Sequence, residues 1–136
     1  SEFRRLYSSV PRAIGWSNHM GSRLTAQRLA VEQLVRVSTQ VNAFVLDSRT
    51  APNSVLAQKA RQAGLRTYER DIFLDGLGQQ VTLDEVRQQL RMAQQLAQRK
   101  GRLVIAVGHP YPATLEMLRQ LRPKRSAVPF VSLQAK

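Results

Sequence analysis

Only two histidines occur in this sequence: His19 in Asn18-His19-Met20-Gly21-Ser22, and His109 in Gly108-His109-Pro110. Each follows a short apolar run, at the point where a strand hands over to a loop. Imidazole serves both as a metal ligand and as an acid–base group near neutral pH. Either use needs side chains that converge from distant parts of a chain, and the ends of parallel strands supply that convergence. In one parallel sheet His19 and His109 would face a single crevice. The alternative for each is a structural loop histidine bonded to a neighbouring carbonyl. Gly108 lets the backbone turn or approach a ligand closely, and Pro110 biases His109 toward an extended conformation. Asn18 can orient a ring or a substrate, and Gly21 leaves room beside His19.

Carboxylates stand in similar places. Asp47 ends an apolar run as Leu46-Asp47-Ser48-Arg49-Thr50. It can bind metal, orient a histidine or act as a base; equally, it can cap a turn or pair with Arg49. Asp71 and Asp75 are four residues apart, on one side of the chain only if the segment stays a regular strand. Asp71 is the stronger candidate of the two, with Arg70 as an ion-pair partner. Trp16 and Tyr111 flank the histidine motifs, where an aromatic face can meet a sugar ring or simply pack. No GxxxxGK[ST] or GxGxxG phosphate loop, GxSxG elbow or HExxH helix is present.

The elements that must position these residues alternate along the chain. Ala13–Gly15 is a short strand candidate, and a helix capped by Ser22 or Thr25 runs to about Gln40. Asn42–Leu46 is a buried strand. Pro52-Asn53 opens a second helix that Gly64 stops, and Leu65–Arg70 is a shorter strand. Thr82-Leu83-Asp84-Glu85 has the capping-box pattern for a helix to about Lys100, ended by Gly101. Leu103–Val107 is the most strand-like run, continuous enough for a strand covered on both faces. Pro112–Leu121 is a fourth helix and Val128–Val131 a last strand. This is an α/β chain: about five mostly parallel strands alternating with four helices. Every unusual polar motif falls at a strand's carboxyl end.

Composition narrows the chemistry further. At 136 residues, 43% of them hydrophobic, the chain is sized for a single domain. Absence of cysteine excludes disulfides, thiolate metal sites and cysteine nucleophiles. No transmembrane run and no secretory signal is visible. The net charge is +12, from 21 Lys and Arg against nine Asp and Glu. Such an excess favours anionic partners. Yet the cations are dispersed, with clusters only at Arg4-Arg5 and Arg122-Pro123-Lys124-Arg125, and no aromatic residues interleave with them. A nucleic-acid-binding domain is therefore the least favoured reading.

Four motifs in order carry a resemblance that spans roughly Val10–Leu133: Gly15-Trp16-Ser17-Asn18-His19-Met20-Gly21-Ser22, Phe44-Val45-Leu46-Asp47-Ser48-Arg49-Thr50, Arg70-Asp71-Ile72-Phe73-Leu74-Asp75 and Ile105-Ala106-Val107-Gly108-His109-Pro110. The chain resembles the divergent polysaccharide deacetylase family, itself similar to the polysaccharide deacetylases with a distorted β/α barrel. The resemblance implies a metal-dependent carbohydrate esterase, usually binding zinc, that removes acetyl groups from glycans in a bacterial periplasm or cell envelope. On it, His19 and His109 lie at the metal. His109, Asp47 and Asp71 are the catalytic candidates, and Asn18, Ser22, Arg49 and Tyr111 would contact substrate. The family's opening strand with paired aspartates, and the histidine strand after it, have no counterpart here. The resemblance therefore implies a C-terminal portion of the barrel, incomplete or inactive alone. Five strands do not close a barrel, so a homodimer or a second chain would complete the sheet. A non-catalytic glycan- or protein-binding module on the same scaffold is the alternative.

Overall fold

In a computed structural model, residues 2–19, 22–76, 80–121 and 128–134 are described. Among them the order is α1 (Glu2–Ser8), β1 (Gly15–Ser17), α2 (Ser22–Thr25), α3 (Arg28–Gln40), β2 (Phe44–Asp47), α4 (Leu56–Gln62), β3 (Thr67–Glu69), β4 (Ile72–Phe73), α5 (Leu83–Lys100), β5 (Ala106–Val107) and α6 (Pro112–Gln120). The fold is α/β with every strand pair parallel: a three-stranded sheet ordered β1-β2-β3 and a two-stranded sheet β4-β5. The chain divides into two compact units, Ser1–Glu69 with Leu133–Lys136, and Arg70–Ser132.

The first unit is a pair of strand–helix–strand crossovers. On α3, Val31, Val35 and Ser38 recur at helical spacing and are the buried face. Val31 and Val35 pack with Val45 of β2 and with Leu56 and Ala60 of α4, while Trp16, Val55 and Leu65 close the margin. Trp16 donates its indole N–H to Ser38 Oγ at 2.8 Å, so the aromatic edge entering this core is satisfied. Gly15 is required at the start of β1. A Cβ there would come within 2.4 Å of the Phe44 ring on the paired strand.

The expected helix from Ser22 or Thr25 to Gln40 is interrupted before Arg28. Thr25 is buried and its carbonyl accepts the N–H of Val55 at 2.9 Å, a tertiary bond that replaces helix continuation there. The second helix starts at Leu56 rather than Pro52. It ends as expected: Gly64, at φ +77°, donates to the Arg61 carbonyl while Leu65 donates to that of Ala60. These are the two bonds of a Schellman stop. Helix α1 was not expected from the sequence. It buries no residue of its own, but Phe3 meets Trp16 edge-on at 5.2 Å and Tyr7 donates to the Ala13 carbonyl at 2.6 Å.

In the second unit Leu74, Val86 and Met117 form the core, with Leu83, Leu90, Ala106, Ala113 and Leu121 packed on it. The capping box of α5 is present in both halves: Thr82 Oγ1 accepts the Glu85 N–H at 3.2 Å and Glu85 accepts the Thr82 N–H at 2.7 Å. Gly101 ends the helix at φ 58°. The apolar run from Leu103 yields only two strand residues. Leu103 is exposed and Val104–Val107 are half-buried, so the run is not enclosed on both faces within this unit. Ile105 donates its N–H to the Asp71 carboxylate at 2.9 Å instead of to a strand carbonyl. Its partner strand, β4, lay unrecognised between Asp71 and Asp75. Val128–Val131, expected as a strand, is irregular; Pro129 lacks a donor, and Phe130 and Val131 are exposed.

Candidate functional site

At the ends of the first unit's strands, β1 and β2 run in register with Ser17 opposite Leu46. The loops that follow therefore leave the same sheet edge side by side. Asn18 ties them together: its Oδ1 accepts the Ser48 N–H at 2.8 Å and its Nδ2 donates to Thr50 Oγ1 at 3.4 Å. Asp47 is fully buried. Its Oδ1 accepts the Arg49 N–H at 2.8 Å, and its Oδ2 accepts the Ser54 hydroxyl at 2.8 Å and the Ala57 N–H at 3.3 Å. This carboxylate thus caps the first turn of α4 from a distance and holds the turn that leads to it. Arg49 takes a left-handed backbone (φ 48°) and its guanidinium meets Glu69 Oε1 at 2.6 Å, while Arg61 takes Oε2 at 2.5 Å. Burial pushes the Glu69 carboxyl up, but the two guanidiniums outweigh it and hold the carboxyl below its usual range. His19 is exposed beside this latch. Met20 and Gly21 lie outside the described residues, as do the side chain of Ser22 and the Arg122–Arg125 cluster.

The second unit holds a tighter arrangement. Phe73 pairs with Val107 across β4 and β5. Asp75 and His109 each lie two residues past that pair and meet. Asp75 Oδ1 stands 2.9 Å from His109 Nδ1. Its Oδ2 accepts the His109 backbone N–H and the Thr114 hydroxyl, the latter at 2.9 Å. The Asp75 side chain is 0% exposed, whereas that of His109 is 27% exposed. A carboxylate this buried is desolvated, which pushes its pKa up. The His109 ring, the His109 amide and the Thr114 hydroxyl oppose that push and prevail, so Asp75 titrates below the ordinary range. It is an anion facing Nδ1, and the neutral ring is thereby fixed with its proton on Nδ1 and its lone pair on Nε2.

Two aromatic rings lie nearly parallel to the imidazole. Phe73 stacks at 6.0 Å and 25°, and Tyr111 at 5.2 Å and 22°. The Arg70 guanidinium lies over the Phe73 ring, 3.9 Å from its centre. Tyr111 is also the N-cap of α6, and Pro112 occupies the first helical position, where its missing N–H has no cost. Asp71 is placed otherwise. Arg102 grips both its oxygens, at 2.7 and 3.3 Å, and Ile105 donates to Oδ2. Burial again pushes this carboxyl up, and Arg102 with the Ile105 amide holds it down.

Of the sequence candidates, the structure joins Asn18 to the Asp47–Thr50 loop in one unit and Tyr111 to His109 in the other. It binds Asp71 to Arg102 and gives His109 the carboxylate of Asp75. Sequence reasoning ranked Asp75 behind Asp71 and did not single out Thr114 or Phe73. The available signal was positional: once Ile72-Phe73 is taken as a strand parallel to Ala106-Val107, Asp75 and His109 fall at the same offset beyond it.

Comparison with known proteins agrees with this architecture. Residues 1–135 match the family model of the divergent polysaccharide deacetylases. The chain belongs to that family. It is 34% identical over 118 residues to the uncharacterized protein YibQ of Escherichia coli strain K12, covering 87% of this chain and 36% of YibQ. It is 37% identical over 110 residues to an uncharacterized protein of Haemophilus influenzae, covering 81% of this chain and 38% of that protein. The chain thus spans little more than a third of the length of these curated relatives. The crystal structure of the uncharacterized protein ATU2773 from Agrobacterium tumefaciens C58 superposes with a TM-score of 0.74 at 21% identity, over 86% of this chain and 47% of that one. That likeness shows the fold.

The family raises the question of zinc. Among the described residues no three of His, Cys, Asp and Glu gather as a ligand set. What fits is a single ligand position: an imidazole whose Nδ1 is fixed by a buried carboxylate, the support that metal-binding histidines commonly have.

Proposed function

We propose that this chain supplies the histidine-bearing part of a carbohydrate esterase that removes acetyl groups from glycans, and that His109, oriented by Asp75, is its acid–base group. The observation that carries the reading is the contact of the buried, ionised Asp75 with His109 Nδ1. Water adds to the acetyl carbonyl, and the bond to the sugar oxygen or nitrogen breaks as that atom gains a proton, leaving acetate and the alcohol or amine. An imidazolium held by an anionic carboxylate can donate one from Nε2 and take it back from water. Phe73 and Tyr111 keep the ring in one plane, so that Nε2 is presented in one direction.

Zinc, where bound, would supply Lewis-acid polarisation of the acetyl carbonyl and an activated water. His109 Nε2 can serve the metal or the proton but not both at once; with His109 as the acid–base group, His19 is the imidazole left for zinc, and the further ligands would come from outside this sequence. Asp47 and Asp71 are the weaker proposals for catalysis, because helix α4 and Arg102 already engage their oxygens. The setting we propose is the bacterial cell envelope, where acetylated glycans are found.

The test is acetate release by the full-length, zinc-supplemented protein from a panel of acetylated glycans. On this reading His109→Gln lowers the rate about 10²-fold or more, as loss of a general acid does. A variant as active as the wild type, or no acetate from any acetylated glycan, would overturn it.

A further inference from the structure

Thr114 has a buried hydroxyl that the proposed chemistry does not use. It donates to Asp75 Oδ2 at 2.9 Å. Thr114 is 2% exposed and stands at the third position of α6, so the helix start fixes where that hydroxyl points. The same Oδ2 accepts the His109 backbone N–H. Two donors on Oδ2 leave Oδ1 as the oxygen that meets the ring. Without the hydroxyl the His109 N–H alone holds Oδ2, and the carboxylate is freer to turn Oδ1 away from Nδ1.

Gly108 takes part through its lack of a side chain. A Cβ at that position would sit 3.1 Å from Thr114 Cγ2 and 3.3 Å from Asp75 Oδ2, closer than either neighbour ordinarily tolerates. The glycine therefore lets the segment before His109 lie against the carboxylate. We propose that Thr114 and Gly108 are positioning residues, which act on the imidazole only through Asp75 by reserving Oδ1 for Nδ1. This rests on the reading of His109 as the acid–base group. Its test needs no turnover, so the two can fail separately.

The measurement is the pair of ¹⁵N resonances of the His109 ring in its neutral form, assigned by their loss in His109→Gln. In the wild type Nδ1 is protonated and Nε2 carries the lone pair, which gives two well-separated resonances. Thr114→Val keeps the volume and removes the hydroxyl. It moves both resonances toward each other as the second tautomer becomes populated, and Thr114→Ser restores them. Gly108→Ala moves them in the same direction with no hydrogen-bonding group removed. Wild-type separation retained in folded Thr114→Val overturns the proposal. Should that variant fail to fold, the wild type still decides. A Thr114 hydroxyl proton protected from solvent and coupled to the Asp75 carboxylate supports the role, and one exchanging freely contradicts it.

Discussion

Asp75 shows at the scale of one residue how a buried charge is made tolerable. Its carboxylate is enclosed, yet three donors reach its two oxygens. A buried acceptor deprived of its donors loses about 1–3 kcal/mol, so Asp75→Asn, which sets an amide donor against donors, is expected to destabilise by about that much at pH 7. Urea unfolding measures it. The pH dependence has a definite sign. Asp75 and Asp71 both titrate lower folded than unfolded. Their stabilisation is complete above the unfolded aspartate value of about 3.9 and is lost as pH falls through the lower folded values. The gap between wild type and Asp75→Asn should therefore be widest near neutrality and close on acidification below about pH 4. A gap that stays constant to pH 2 would mean that Asp75 is not held as an anion. In the other unit, Asp47→Ala removes the acceptor for Ser54 and Ala57 and should cost about 1–2 kcal/mol, the value of a helix cap.

Several helix ends were legible because local chemistry decided them, although the Pro52-Asn53 start was not among them. Thr82 with Glu85, and Gly64 and Gly101 at helix ends, carried their roles in residue type alone, and the structure bears them out. Elements decided by distant partners were not legible. The Thr25 carbonyl is taken by Val55, and so a helix breaks. The Asp71 carboxylate takes Ile105, and so a five-residue apolar run gives a two-residue strand. Asp75 was underrated for the same reason: its value lies in the register of β4 on β5, which Ile72-Phe73 alone is too short to announce. Two predictions belong at this scale. Thr82→Ala should lower stability by about 1 kcal/mol through the first turn of α5, seen as faster amide exchange there. Gly15→Ala should destabilise by about 1–3 kcal/mol, because the Phe44 ring must move; a neutral effect on thermal unfolding would mean that β1 and β2 are less tightly apposed.

For the whole chain, charge and ancestry point in different directions, and ancestry is the stronger. The net charge of +12 draws attention to anionic polymers. Yet Arg49, Arg61, Arg102 and Arg119 are engaged with Glu69, Asp71 and Glu116. Any binding to DNA or heparin is expected to be unspecific and to weaken about tenfold or more between 50 and 200 mM salt, measurable by fluorescence anisotropy. Affinity that holds in high salt would instead favour a dedicated nucleic-acid site. Family membership, together with the carboxylate behind His109, is what supports the esterase role proposed above. The most direct test is a double-mutant cycle on acetate release by the full-length protein, using His109→Gln, Asp75→Asn and both together. If Asp75 acts only through His109, Asp75→Asn alone slows release about 10–100-fold and adds nothing once His109 is gone. Losses that multiply in the double variant, or a His109→Gln variant that releases acetate at the wild-type rate, would contradict the account.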